Sequence, residues 1–278
     1  MNMNTITKIL TDKKRQGTPI SMVTAYDYPV ARIAAEAGVD VVLVGDSVGT
    51  NVLGYKSECE VTLDDMIHHL KAVRRGAPEA CIMVDMPYGT ADEPEKAYAN
   101  AVALVDAGAD IVKLEGWGEK KEIVMHLAAK GISVCAHIGY NAQYHGPKGR
   151  MFGKEAAGAL ELIESARALE QAGAIMLIAE KIPVEIAEII TARLSIPVIG
   201  IGSGIECDGQ VLVFHDVVGL GWRTFRHARQ YTDIRTDISN AVSSYINEIN
   251  SHAFPSEEHS WHLPKAILNE VQQKLSER

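Results

Sequence analysis

No run of about 18 apolar residues occurs in the chain, so nothing in it reads as a membrane-spanning helix. Residues 1–10 are polar and lack the apolar core of a signal peptide. Cysteine is scarce: the four residues at 59, 81, 135 and 207 form no Cys-x-x-Cys pair, which excludes the usual spacing of a structural zinc site. Cys81 and Cys135 lie inside apolar runs, where a reduced thiol serves as a small hydrophobe. This usage points to a reducing, cytoplasmic setting. A surplus of positive charge is also missing. Lys and Arg number 27 against 36 Asp and Glu, for a net charge of −9, and no basic stripe offers phosphate neutralisation. Nucleic acid is therefore excluded as a partner. The densest basic spots, Lys13-Lys14-Arg15 and Arg74-Arg75, read as solvated helix or turn charges.

What is present is a set of apolar runs that end in charge. The stretch Ala109-Asp-Ile-Val-Lys-Leu-Glu-Gly116 is the clearest: Ile111 to Leu114 reads as a buried strand, and Lys113 and Glu115, two apart, share one of its faces. Val41 to Val44 runs out into Asp46, Cys81 to Val84 into Asp85, Ile132 to Ala136 into His137, and Ala174 to Ala179 into Glu180. Ile20 to Ala25 leads to Tyr26 and Asp27, and Ile196 to Ile201 supplies a seventh strand. A parallel sheet covered on both faces needs near-continuous apolar strands, and its polar groups gather at their carboxyl ends. The eighth strand is the weakest signal. Val211-Leu-Val-Phe214 is its candidate, although Asp208-Gly-Gln210 could equally open a helix.

Helices are predicted at 5–16, 29–36, 62–75, 93–106, 119–130, 155–171 and 184–194. The first has Ile6, Ile9 and Leu10 as its apolar stripe. The phrase Ala-Gly recurs at 37–38, 107–108 and 172–173, each time between a helix and a strand, so one αβ connection is used three times. His68 and His69 are adjacent and read as surface residues. Gly200-Ile-Gly-Ser-Gly204 is read first as a turn that needs glycine conformations and second as a phosphate cradle. The pattern predicts a (β/α)₈ barrel over 1–262 and a helical extension over 263–278. Further helical spacing occurs at Ile234, Ile238, Val242, Tyr245 and Ile249, and at Ile267, Val271 and Leu275.

Asp46, Asp85 and Glu115 come from three consecutive strands. Each alone could cap the next helix, but together they suit a hard, oxygen-loving ion such as Mg²⁺. Glu180 is placed across the barrel from them, either as a general base with a pKa raised by burial or as the partner of Lys181. The long loops 45–60 and 137–154 fall on the same side and are expected to cover a site.

Thr24-Ala-Tyr-Asp27, Val44-Gly-Asp-Ser-Val-Gly49, Val112-Lys-Leu-Glu-Gly116, Ile196-Pro-Val-Ile-Gly-Ile-Gly-Ser-Gly204, Cys207-Asp-Gly-Gln-Val-Leu-Val213 and Phe254-Pro-Ser-Glu-Glu-His259 resemble the ketopantoate hydroxymethyltransferase family, in register over about residues 5–262. The resemblance implies a barrel of the phosphoenolpyruvate mutase type, with extra C-terminal helices, and a homo-oligomer, a decamer. It implies transfer of a hydroxymethyl group from 5,10-methylenetetrahydrofolate to 3-methyl-2-oxobutanoate through a Mg²⁺-stabilised enolate, giving 2-dehydropantoate for pantothenate synthesis. By the same resemblance Asp46, Asp85 and, through water, Glu115 are the metal site, and Ser47 and Lys113 touch the oxo acid with His137 beside it. Glu180 is the base. The stretch Ala136-His-Ile-Gly-Tyr-Asn-Ala-Gln143, with Tyr144 to Arg150 after it, departs from the family pattern, and Tyr55 replaces a frequent His. Two alternatives stand beside this reading: a paralogue that performs aldol-type addition or cleavage on another 2-oxo acid, and a non-catalytic oligomeric scaffold.

Overall fold

The structure, a computed structural model, describes residues 3–145 and 151–277. Residues 146–150, within the stretch expected to depart from the family pattern, lie outside the described residues. Contacts divide the chain into two compact units, Met1–Tyr231 and Thr232–Arg278.

The first unit holds eight parallel strands closed into a barrel in sequence order. These are β1 (Ile20–Thr24), β2 (Val41–Val44), β3 (Cys81–Asp85), β4 (Ile111–Glu115), β5 (Val134–Gly139), β6 (Met176–Glu180), β7 (Val198–Ile201) and β8 (Gly209–Leu212). Helices α1 (Met3–Arg15), α2 (Tyr28–Glu36), α3 (Leu63–Gly76), α4 (Pro94–Asp106), α5 (Lys121–Ala129), α6 (Ala142–His145), α7 (Ala156–Gln171), α8 (Val184–Arg193) and α9 (Phe214–Val218) follow or precede them. The expected fold is found. Strand β8 begins two residues earlier than expected, and Phe214 opens α9 instead of ending the strand. The earlier start is possible because Gly209 lies against the Ile20 carbonyl, where any Cβ would collide.

Local signals explain where the helices begin. Asp27 caps α2 by accepting from the Val30 N–H at 2.9 Å, so this strand-end acid does structural work. Thr62 and Asp65 form a reciprocal capping box on α3. At the repeated Ala-Gly phrase, Gly38, Gly108 and Gly173 have φ of 84°, 117° and 101°, a left-handed turn that glycine makes without penalty.

Alternation along the strands sorts the core into two layers. Val42, Ile82, Val112, Val134 and Leu177 face the helices. Leu43, Met83, Ile111, Cys135 and Met176 fill the barrel. From α1, Ile6 and Leu10 join this inner cluster, whereas Ile9, expected with them, is exposed. The two basic spots expected to be solvated are divided: Arg15 and Arg75 are exposed, but Lys14 and Arg74 are drawn inward. Lys14 donates to Asp208 Oδ2 at 2.6 Å and to the Thr191 carbonyl at 2.8 Å. Arg74 donates to the carbonyls of Gly108, Ala80 and Pro78 and pairs with Asp110. These cations tie together chain ends at the amino-terminal face of the strands, where backbone groups leave the sheet and need partners.

The second unit contains α10 (Ile234–Asn250) and α11 (Lys265–Ser276). Of the expected apolar positions, Ile234 on α10 is half-buried, while Ile238, Val242, Tyr245 and Ile249 on α10 and Ile267, Val271 and Leu275 on α11 are exposed. No helix among the described residues is long and apolar enough to cross a membrane.

Candidate active site

The same alternation that fills the barrel with apolar side chains carries charge to its carboxyl end. On β3 the inward positions are Cys81, Met83 and Asp85; on β4 they are Ile111, Lys113 and Glu115; on β5, Cys135 and His137; on β6, Met176, Ile178 and Glu180. Pairing places Asp85 beside Lys113 and Glu115 beside His137. Lys113 Nζ consequently lies 2.8 Å from Asp85 Oδ1 and 3.2 Å from Glu115 Oε1, with all three side chains buried. Asp46 follows β2, and its N–H donates to Asp85 Oδ2 at 3.0 Å. Just before it, Gly45 leaves room for the Ser47 hydroxyl, on which a Cβ would press.

Three carboxylates thus surround one ammonium in a space closed to water. Burial works against the Lys113 charge, but Asp85, Glu115 and Asp46 outweigh it and raise its pKa well above the ordinary value. Burial likewise raises Glu115, yet Lys113 and His137 prevail and hold its pKa at about 2. For Asp46 nothing prevails: burial first, then Glu115 and Asp85, push its pKa well up, against weaker opposition from Lys113 and Gln143. The cluster carries more negative charge than its own cation balances.

Ligating oxygens of Asp46, Asp85 and Glu115 all lie within 4.8 Å of one another, and this group could hold a metal ion. The fit is good on two counts. Every donor is a hard oxygen, and Glu115 Oε2 is buried with no hydrogen-bond partner, a costly state that a cation would relieve.

β6 is opposite β2 in the ring, as its position in the strand order required. Glu180 is nevertheless not isolated from the acids. His137 Nδ1 lies 3.4 Å from Glu115 Oε1, and His137 Nε2 lies 3.6 Å from Glu180 Oε2, so one imidazole spans the gap. Neither contact meets hydrogen-bond geometry, and both ring nitrogens are buried without a hydrogen-bond partner. Glu180 also pairs with Lys181 at 3.3 Å. Burial raises the Glu180 pKa, His137 and Lys181 partly oppose it, and the net direction is up. Lys181 itself has φ of 48°, unusual for a side chain with a Cβ, and its ammonium sits 3.8 Å above the Tyr140 ring.

Of the residues singled out from sequence, Asp46, Asp85, Lys113, Glu115, His137 and Glu180 form one connected group, and Ser47 adjoins it. Ser47 Oγ lies 2.8 Å from the Tyr26 hydroxyl. Burial raises the Tyr26 pKa, and Asp46 and Asp85 add to the effect. His69, expected at the surface, is half-buried and its Nδ1 is 2.6 Å from the Tyr26 carbonyl. Gly202 and Gly204 have φ of 66° and 93°, so the glycine-rich turn uses its glycines for backbone shape. One member of the group carried no sequence signal: Gln143, buried, donates from Nε2 to Asp46 Oδ2 at 2.8 Å. It lies on α6 (Ala142–His145), a helix of four residues that is too short to show a readable period.

Fold and site together define a (β/α)₈ barrel enzyme with an acidic, metal-competent centre at the carboxyl ends of its strands. Solved structures with the same fold include phosphonopyruvate hydrolase in complex with oxalate and Mg²⁺ (TM-score 0.62, 11% identity, 98% of each chain covered). Another is 2,3-dimethylmalate lyase, a member of the PEP mutase/isocitrate lyase superfamily (TM-score 0.57, 15% identity, 98% of each chain covered). A family model for ketopantoate hydroxymethyltransferase matches residues 4–257, and the chain belongs to that family. It is 47% identical over 253 residues to the 3-methyl-2-oxobutanoate hydroxymethyltransferase of Bacillus cereus, covering 89% of this chain and 91% of the relative. The enzyme of the same name from Bacillus thuringiensis is 46% identical over the same extent.

Proposed function

We propose that this chain transfers a hydroxymethyl group from 5,10-methylenetetrahydrofolate to 3-methyl-2-oxobutanoate, giving 2-dehydropantoate, with Mg²⁺ at Asp46, Asp85 and Glu115. The observation that carries the reading is the pairing, at one end of the barrel, of that acidic centre with a separate carboxylate, Glu180, whose pKa is raised. The relatives' names supply the acceptor. A divalent cation bound together with the oxo acid would polarise its keto oxygen and acidify the adjacent C3–H. Lys113 pairs with Asp85, holds Glu115 ionised and presents its charge to the oxo acid's carboxylate, while Ser47 offers it a hydroxyl. Glu180 removes the C3 proton; its raised pKa makes it a stronger proton acceptor than an ordinary carboxylate. The new bond joins C3 to the one-carbon unit, both bonds from that carbon to the donor's two nitrogens break, water supplies the hydroxyl oxygen, and the nitrogens take up the C3 proton and one proton of that water. His137 keeps Glu180 and Glu115 apart and lines the space between them.

The four free thiols agree with a cytoplasmic enzyme. The exposed apolar faces of α10 and α11 support self-association into a homo-oligomer, a decamer on the family's pattern. Light scattering checks this, and a monomer at micromolar concentration would sink it.

Proton exchange at C3 tests the chemistry. With Mg²⁺ and 3-methyl-2-oxobutanoate but no folate, the enzyme should exchange the C3 proton with solvent deuterium, followed by NMR. Glu180→Gln should bind metal and substrate yet lose exchange by about 10²-fold or more. Exchange that survives in this variant moves the base elsewhere. Exchange in the parent without any folate-dependent product makes the chain a paralogue with another acceptor.

A further inference from the structure

Among the described residues of the segment after β5, Gln143 reaches Asp46. Its Nε2 donates to Asp46 Oδ2 at 2.8 Å and to the Met86 carbonyl at 3.2 Å. Both partners are acceptors, so the amide can have only one orientation, nitrogen towards Asp46. The residue is anchored on both sides of its main chain. Its N–H donates to Asn141 Oδ1 at 2.9 Å, and its carbonyl accepts from the Cys59 thiol at 3.2 Å. A buried amide held at four points has little freedom to turn away.

The consequence lies in which carboxylate oxygens remain. Asp85 accepts from Lys113 at Oδ1 and from the Asp46 N–H at Oδ2, and keeps a second lone pair on one oxygen to meet a cation. Glu115 Oε1 faces Lys113 and His137, leaving Oε2 bare. Asp46 gives one lone pair of Oδ2 to Gln143, so ligation through both of its oxygens would compete with that hydrogen bond, whereas ligation through Oδ1 would not. Mg²⁺ demands six short contacts in near-octahedral array and takes carboxylates through one oxygen, whereas Ca²⁺ accepts six to eight ligands and readily takes both oxygens of a carboxylate. We propose that Gln143 is a positioning residue that restricts Asp46 to one ligating oxygen and so sets the site's preference for a small octahedral cation over a larger one. The proposal rests on the assignment of Asp46 as a metal ligand.

Calorimetric titration of the full-length protein with Mg²⁺ and, separately, with Ca²⁺ tests it. Gln143→Met keeps the chain length and deletes the donor. In this variant the Mg²⁺ Kd should rise about 10-fold, the usual scale for an outer-shell partner, while the Ca²⁺ Kd stays level or falls. Equal weakening of both ions would reduce Gln143 to a loop tether, and no change in either would remove it from the site; both results overturn the proposal. A parent protein that binds neither ion instead overturns the metal assignment, which separates the two failures. Should the variant not fold, infrared difference spectra of the parent with and without Mg²⁺ decide the matter. One-oxygen ligation widens the splitting of the carboxylate stretches, and a narrow, two-oxygen splitting overturns the proposal.

Discussion

Asp40 precedes strand β2 and Asp46 follows it, so one short strand displays the two ends of the barrel. Asp40 is half-buried. Burial alone would raise its pKa, but Lys13 and the N–H and hydroxyl of Ser21 outweigh that and lower it. Asp46, fully enclosed beside two other carboxylates, is pushed the opposite way. The contrast extends around both rims. At the amino ends, Lys14 with Asp208 and Arg74 with Asp110 match each charge to a partner and to loose backbone groups. At the carboxyl ends negative charge is left in excess. A matched rim holds a barrel together, and an unmatched rim stores a demand that only a ligand can meet.

Removing cations from the two rims should give the largest effects. Lys113→Met leaves buried carboxylates without their counter-ion, and the metal-free protein should lose about 3–5 kcal/mol of unfolding free energy. Added Mg²⁺ should restore part of the loss. Denaturant unfolding with and without the ion reads both, and unchanged metal-free stability would contradict the charge balance described above. Arg74→Met should cost about 1–3 kcal/mol, since it strips part-buried carbonyls and Asp110 of their donor. Its Mg²⁺ affinity by calorimetry should equal the parent's, because the damage is at the other rim.

The aspartates differ in sign. Asp40→Asn should destabilise by about 1–2 kcal/mol at neutral pH, the scale of a charge-assisted hydrogen bond near the surface. A lowered folded pKa means that this contribution is present above pH 3.8 and fades as pH falls through the folded value. Parent and variant melting curves should therefore converge in acid, and a constant offset would exclude the linkage. Asp46→Asn should have the smallest effect on the metal-free protein, within about 1 kcal/mol and towards greater stability, since it removes repulsion. The same change should weaken Mg²⁺ binding at least about 10-fold. Normal Mg²⁺ affinity in that variant would take Asp46 out of the site.

The barrel and most of its charged end were legible because period-two alternation carries two messages at once. In Ile111-Val-Lys-Leu-Glu115 it names the inward positions, and by ending the apolar run it marks the rim where the chemistry sits. Seven apolar runs and the thrice-used Ala-Gly phrase were enough to define the repeated unit. The eighth strand was harder to read because half of it, Gly209-Gln210, has no apolar signal; its place is decided by closure against β1 and the tight approach to Ile20.

Sequence alone therefore determined the element order, the inward face of each strand and the identity of the strand-end acids, since these depend on neighbours along the chain. It did not determine which charges are matched. Lys14 and Asp208 are far apart in sequence, as are Arg74 and Asp110, and the two cations read as solvated charges until barrel closure brought them to their partners. Gln143 on Asp46 and His137 between Glu115 and Glu180 were likewise settled only by the fold. Burial and charge pairing are sums over everything nearby in space, and the period of a strand carries no record of that sum.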